Sequence, residues 1–244
     1  MNTASAPHAR ALFLDRDGTL VHRYHYPSRP EHLRLYDGIA GPLALLRQVG
    51  FRLVVVTNQS GIARGYFTEA DLDRMHAHLR SSLAAQGVEL DAFYHCPHHP
   101  DGVVEGLDVR CDCRKPAPGM ALRAARDLSL DLSRSWFVGD ILDDVEAGAR
   151  AGCRTVLVDL GTEPQPQSAL RRPDFVARDT AHALAIILSA EGVGPRVDMS
   201  YLPEGWRQAH PAAGENDADA PMALSARPGT ALPQGPGGSY EQRR

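Results

Sequence analysis

The sequence predicts a doubly wound α/β fold, a parallel sheet with helices on both faces, and three observations predict it. Short uncharged runs alternate with longer segments of helical period along residues 10 to 190, the pattern of a parallel sheet built from βαβ units. Several of those runs end on an acid or a hydroxyl, at Asp15, Thr57 and Asp140. Carboxyl ends of strands are where open α/β sheets bind ligands. The longest helical segment also opens with a clear signal, Thr68-Glu69-Ala70-Asp71, a hydroxyl cap followed by acids in the first turn. These features together describe a Rossmann-like sheet with its functional residues gathered along one edge.

The elements follow in order. Strands are expected at 10–15, 51–57, 91–96, 135–139, 154–159 and 174–177, and helices at 38–49, 68–86, 118–128, 143–151 and 179–190. In the second helix Leu72, Met75, His76, Leu79 and Leu83 trace an apolar stripe, so Met75 and His76 read as packing residues. From Gly192 onward Pro, Gly, Ala, Asp and Ser prevail, which predicts one domain over 1–192 and a disordered tail over 193–244. Tyr201 to Trp206 is the one sticky patch of that tail, and it reads more readily as an accidental aromatic pair than as a docking element. No internal repeat is evident.

The chemistry starts at Leu12-Phe13-Leu14-Asp15-Arg16-Asp17-Gly18-Thr19. Two aspartates one residue apart can point the same way from an extended backbone while Arg16 points away, and Gly18 lets the chain turn close to a ligand. A carboxylate placed so is suited to nucleophilic attack on phosphorus. Phosphate monoesters are anionic and hydrolyse so slowly unaided that enzymatic accelerations reach ~10²¹-fold. Such a nucleophile needs cations and donors beside it and a second acid for the leaving group. The chain supplies them in order: Thr57 at a strand end, the donor-rich turn Asn58-Gln59-Ser60-Gly61, Lys115 just before a helix that Pro118 could open, and Gly139-Asp140 with Asp143 and Asp144 on the next turn. Taken singly, Thr57 could cap a strand, Lys115 could be a surface charge, and Asp143 and Asp144 could cap a helix.

A second constellation lies between residues 95 and 115, where three of the four cysteines fall within 18 residues. Cys96-x-His98 and Cys111-x-Cys113 can provide a Cys₃His set, which suits Zn²⁺ and fills all four positions, the mark of a structural site. His95 or His99 could be the nitrogen ligand instead, and a disulfide is the competing reading.

The set Asp15-x-Asp17-Gly-Thr, Thr57, Lys115 and Gly139-Asp140-x-x-x-Asp144 resembles the haloacid dehalogenase (HAD) superfamily of aspartyl-phosphate phosphatases. With the cysteine cluster included, the chain is similar to the D-glycero-D-manno-heptose-1,7-bisphosphate 7-phosphatase and histidinol-phosphatase branch. The similarity runs from about 10 to 190, most closely over Phe13–Thr19, Val54–Gly65, Cys96–Pro100 and Cys111–Pro116. The resemblance implies a HAD-like fold in which a zinc loop at 96–113 stands in place of a large cap domain. It implies Asp15 as nucleophile and Asp17 as general acid and then base, with Thr57 and Lys115 on the phosphoryl group. Mg²⁺ would sit on the Asp15 carboxylate, the Asp17 carbonyl and Asp140. Zn²⁺ would be held by Cys96, His98, Cys111 and Cys113. Tyr26, Asn58, Gln59, Ser60, Arg64 and Arg114 would contact substrate.

Two stretches depart from the family pattern. Leu20-Val21-His22-Arg23-Tyr24-His25-Tyr26 keeps Tyr26 but lacks the usual amide and acid, and Ile141 stands where a polar residue is common. Lost polar contacts alter specificity more than chemistry, so Arg23 and the nearby histidines could instead read an acidic or different phosphorylated sugar. The expected activity is hydrolysis of the heptose bisphosphate at its 7-phosphate; histidinol phosphate or another small metabolite is the alternative, and a non-catalytic binding module the remote one.

Composition fits a soluble intracellular enzyme. Hydrophobic residues make up 43% and charged ones 23%, enough for a full core. A net charge of −4 with dispersed basic residues offers no footprint for nucleic acid. The first apolar run is only four residues long, too short for a membrane span or a signal core. A cytoplasmic location with reduced cysteines is therefore expected, and the resemblance implies a monomer.

Overall fold

The computed structural model describes residues 9–207. Six strands, β1 (Arg10–Leu14), β2 (Phe51–Asn58), β3 (Ala92–Cys96), β4 (Trp136–Gly139), β5 (Arg154–Val158) and β6 (Phe175–Ala177), pair in parallel in the order β3-β2-β1-β4-β5-β6. The helices are α1 (Ala40–Gln48), α2 (Glu69–Ala84), α3 (Gly119–Leu128), α4 (Leu142–Ala151), α5 (Thr180–Ala190) and the short α6 (Glu204–Arg207). Strand order reverses at β1 and β4, so their carboxyl ends open the crevice that such sheets use for ligands.

Strand periodicity divides the core. Leu12, Leu14, Leu53, Val55, Trp136 and Val138 face α1, α2 and α5 in one apolar cluster. Ala11, Phe13, Val54, Val56 and Phe137 face the other way, onto Met120, Ala121 and Ala124 of α3 and Ala147 and Ala151 of α4. Alternate residues of one strand thus supply both layers, which is why these strands are apolar throughout. Thr68 caps α2 in a reciprocal capping box with Asp71, and Leu72, Met75, His76, Leu79 and Leu83 are buried.

Every expected strand lies within one residue of its predicted ends, and the five expected helices within two. Pro118 is the residue before α3 rather than its first turn. Three 3-10 turns, at Pro30–His32, Leu132–Arg134 and Ala169–Arg171, and the helix α6 had no expected counterpart.

The aromatic patch beyond residue 192 behaves differently from the expectation. Trp206 is buried in a cluster with Leu142, Val145, Leu157 and Val176, flanked by Tyr201 and Leu202, and the Tyr201 hydroxyl donates to Asp159 Oδ2 at 2.8 Å. An indole that would otherwise expose a large apolar face is worth burying, so the patch docks on the domain. The rest of the expected disordered tail, 208–244, lies outside the described residues. Among the described residues no helix is long and apolar enough to cross a membrane.

Candidate active site

Asp15 is the first residue past β1, and its N–H donates to Val138 O at 2.9 Å, which holds it at the seam between β1 and β4. Its carboxylate is buried. Lys115 reaches it from the loop before α3: Nζ lies 2.5 Å from Asp15 Oδ1, 2.6 Å from Asp144 Oδ1 and 3.0 Å from Val56 O. The lysine is fixed at its backbone too. Its N–H donates to Asn58 Oδ1 at 3.0 Å and its carbonyl accepts from Asn58 Nδ2 at 3.1 Å, so the end of β2 clamps the loop that carries the charge.

Asp140 follows β4, buried, beside Gly18 and Thr19. Gly18 has a φ of 91°, and a Cβ there would meet Asp140 Oδ2 at 2.1 Å. The turn after Asp17 therefore needs glycine for conformation and for approach. Gly139 plays the same spatial role for Asp144, whose carboxyl a Cβ would meet at 2.2 Å. Oxygens of Asp15, Asp140 and Asp144 all lie within 4.8 Å of one another.

This crowding shows in the acids' proton affinity. Burial pushes the Asp15 pKa up to about 7, against the pull of Lys115 and with the push of Asp144 and Asp17. Burial, then Asp15, raises Asp140 to about 7 against Arg23. Burial raises Asp144 to about 6. Burial disfavours charge on Lys115 as well, but Asp144 and Asp15 outweigh it and hold the lysine above its ordinary value. Three acids thus share two facing cations, Lys115 and Arg23, a donor set with room for further positive charge.

Asp17 stands apart from that cluster. Arg16 Nε and Nη2 donate to its Oδ2 at 3.1 and 2.7 Å, and Gln59 Nε2 does so at 3.1 Å. Its Oδ1 has no partner among the described residues. Arg16 was expected to point away; it is fully buried and folds back, because a buried guanidinium must be paired and Asp17 and Gln59 are its partners. Gln59 also donates to Thr57 Oγ1 at 2.8 Å, which leaves the threonine proton available to a ligand.

Asp15, Asp17, Thr57, Asn58, Lys115 and Asp140 converge on one cavity of about 600 Å³, whose remaining lining is Arg23, Tyr24, His25 and Ile141. Tyr26, Gln59 and Ser60 line a smaller adjoining cavity of about 160 Å³ that shares Asp17, Tyr24 and Asn58 with the first. Arg64 and Arg114 lie outside both. Arg64 Nη2 contacts the His99 ring at 3.1 Å, and Arg114 lines another cavity, of about 540 Å³, beside Cys111 and Pro116, which shares Lys115 with the first.

Cys96, at the end of β3, meets Cys111 and Cys113 at sulfur separations of 3.5 and 3.2 Å, with 3.3 Å between the latter two. His98 Nδ1 lies 3.6 Å from Cys96 Sγ and 3.3 Å from Cys113 Sγ. All four cysteines of the chain are free thiols. The alternatives for the nitrogen ligand fall elsewhere: His95 Nε2 pairs with Glu69 at 2.8 Å, and His99 meets Arg64.

Comparison with known proteins agrees with this geometry. A HAD-hydrolase-like family model matches residues 112–183. The D-glycero-beta-D-manno-heptose-1,7-bisphosphate 7-phosphatase of Escherichia coli K12 is 46% identical over 159 residues, 65% of this chain and 83% of the relative. The chain belongs to this family of HAD phosphatases. Its Salmonella typhi member is 44% identical over 172 residues, 70% of this chain and 91% of the relative. Among solved structures, the D,D-heptose 1,7-bisphosphate phosphatase of B. bronchiseptica, complexed with magnesium and phosphate, superposes with a TM-score of 0.63 at 34% identity, covering 74% of this chain and 99% of that one. A HAD-like phosphatase from Mesorhizobium loti gives 0.68 at 38% identity, covering 80% and 92%. For a phosphatase of this family, sequence reasoning left three contributors unassigned: Asp144 as the second lysine partner, Asn58 as a backbone clamp, and Arg16 as the anchor of Asp17.

Proposed function

We propose that the chain hydrolyses a small phosphorylated sugar, D-glycero-D-manno-heptose 1,7-bisphosphate at its 7-phosphate, through an aspartyl-phosphate on Asp15. The observation that carries this reading is the buried Lys115 ammonium between Asp15 and Asp144, on the wall of a cavity that Asp17 also lines. An Asp15 oxygen attacks phosphorus, the bond to the sugar oxygen breaks, and Asp17 gives that oxygen its proton. Asp17 then takes a proton from water as the water attacks the phosphorus, and the bond to Asp15 breaks to release phosphate. Lys115 Nζ and the Thr57 hydroxyl stabilise the charge on the transferring oxygens. Substrate contacts are assigned to Asn58, Tyr26, Gln59 and Ser60 around the joined cavities, and to Arg64 and Arg114 at their margins.

Three buried acids against two cations fit a divalent ion, and the Asp15 and Asp140 carboxylates with the Asp17 carbonyl would hold Mg²⁺. When bound, it neutralises charge between nucleophile and phosphate. Three thiols and an imidazole within 3.2–3.6 Å of one another across the measured pairs approach the edge lengths of a tetrahedron with ~2.3 Å metal–sulfur bonds. Zn²⁺ there would leave no open position, so its role is to hold loop 96–113 in register. We assign the phosphatase domain to residues 1–192, extended by the docked patch, and take the chain to act as a monomer.

A phosphate-release screen across heptose bisphosphates, hexose bisphosphates, histidinol phosphate and glycerol phosphates tests the reading. The highest kcat/KM is expected for the heptose bisphosphate. The half-exposed Tyr24 ring, stacked on His32 with centroids 4.2 Å apart, favours histidinol phosphate as the second reading, since an imidazole could stack on it. Absence of turnover on every substrate with Mg²⁺ would leave a binding module.

Two further outcomes are expected here. Asp17→Asn should slow turnover of sugar phosphates by about 10²–10⁴-fold, whereas the first-turnover burst from nitrophenyl phosphate, whose leaving group needs no proton, should change little. An equal loss in that burst would remove the acid role. Mg²⁺ should also stabilise the protein more at pH 8 than at pH 5. Acids whose pKa in the fold stands near 7 rather than about 4 take up protons on folding, so they cost stability as pH rises from about 4 through about 7. A cation offsets that cost only when they are ionised. At a hundredfold excess over Kd the melting temperature should rise by about 5–10 °C at pH 8, read by differential scanning fluorimetry, and a shift equal at both pH values would contradict the crowded-acid account.

A further inference from the structure

Arg23 occupies a place that neither the nucleophile nor the zinc cluster explains. Its Nε donates to Asp140 Oδ2 at 2.6 Å, and its Nη2 lies 2.5 Å from the same oxygen. That carboxylate is buried while the guanidinium side chain is 40% exposed, so the arginine reaches in from the cavity wall. Besides Lys115 it is the one permanently charged cation in that lining. Lys115 is committed on two sides to Asp15 and Asp144, so it can serve only the phosphoryl group next to the nucleophile. Ile141, beside Asp140, brings no charge at all.

The loop that carries Arg23 is closed at its base and flanked by paired rings. Its base is closed by His22 N–H to Arg34 O at 2.8 Å and Tyr36 N–H to Leu20 O at 3.1 Å. The rings around it are paired: His22 tilted against Tyr36, Tyr24 stacked on His32, and Tyr26 edge-on to both His25 and Tyr66. A move of Arg23 therefore needs only rotation about its own side-chain torsions, among staggered rotamers of similar energy. A divalent ion arriving at the Asp140 carboxylate competes with the guanidinium for Oδ2 and repels it at contact distance. Once displaced, the planar fork faces an open cavity and suits a bidentate oxyanion.

We infer that Arg23 is a specificity-determining residue that exchanges between Asp140 and a second anionic group of the substrate, so that a divalent cation arriving at Asp140 releases the arginine to read the end of the substrate remote from the reacting phosphate. The inference rests on the phosphatase reading above and names what that site selects: a phosphomonoester bearing another phosphate or carboxylate. It also makes the arginine a place-holder that keeps Asp140 paired before the cation binds.

Arg23→Gln and Arg23→Lys are the test, with the wild-type full chain as reference. Isothermal titration of MgCl₂ without substrate should show about threefold to tenfold tighter binding in Arg23→Gln, because the competitor for Asp140 is gone. In phosphate release, the preference for the heptose bisphosphate over its 7-monophosphate, as a ratio of kcat/KM values, should fall about tenfold or more in Arg23→Gln. Arg23→Lys, which keeps the charge but not the fork, should fall between. Mg²⁺ binding that is unchanged or weaker in Arg23→Gln overturns the inference, as does an unchanged preference. A wild type that releases phosphate from neither substrate fails the phosphatase reading instead.

Discussion

Asp15→Asn should lower kcat on every phosphomonoester by roughly four to six orders of magnitude while leaving the fold in place. Asparagine matches the carboxylate in size, so the crevice between β1 and β4 keeps its packing. Its amide oxygen cannot form the phosphoryl ester, so the first bond-making step is lost rather than slowed. Folding should tolerate the change because Lys115 retains Asp144 at 2.6 Å and Val56 O at 3.0 Å, and because the crowding of Asp15 with Asp144 and Asp17 is relieved. A thermal melt within a few degrees of wild type, together with a smaller Mg²⁺-induced shift, is the expected pair of measurements. Retention of more than about a tenth of the activity would place the nucleophile elsewhere.

Loss of the proposed zinc should be the second large effect, on stability and activity together. Structural Zn²⁺ contributes about 10–16 kcal/mol in small zinc domains, as much as the whole net stability of a typical protein. Metal analysis should find one zinc per chain. Chelation, or Cys113→Ser, should lower the melting temperature by at least about 20 °C. Activity should fall before global unfolding, since Lys115 is only two residues beyond Cys113 and its backbone is clamped by Asn58. A loosened loop pulls against that clamp and withdraws the ammonium from Asp15. Protein that contains no zinc yet melts and turns over as before would refute the site.

What could be read in advance was what local pattern encodes. Strand ends were legible because each is a short apolar run closed by a polar residue, and α2 because Thr68 and Asp71 mark its start. The convergence of Asp15, Thr57 and Asp140 followed from parallel strands sharing one carboxyl edge. What local pattern does not show are pairings with partners remote in sequence. Arg16 is paired by Gln59, 43 residues away, and Asn58 by Lys115, 57 away; neither pairing leaves a periodic trace. Asp144 was visible as part of the family motif and as a residue suited to a helix start, and it both accepts from Ile141 N at 3.3 Å and pairs with Lys115. Asp143, its neighbour, pairs with Arg171 on the surface.

Trp206 shares its cluster with Leu142 and Val145, the residues that flank Asp144 on α4. The lysine's second counter-ion is therefore backed by an indole contributed from 62 residues further along the chain. A chain shortened to residue 192 would keep every reactive group but leave that wedge unfilled, with β6 an outer strand whose apolar neighbours face water. The turn that carries Trp206 thus packs behind Asp144 from outside the span its motifs mark out.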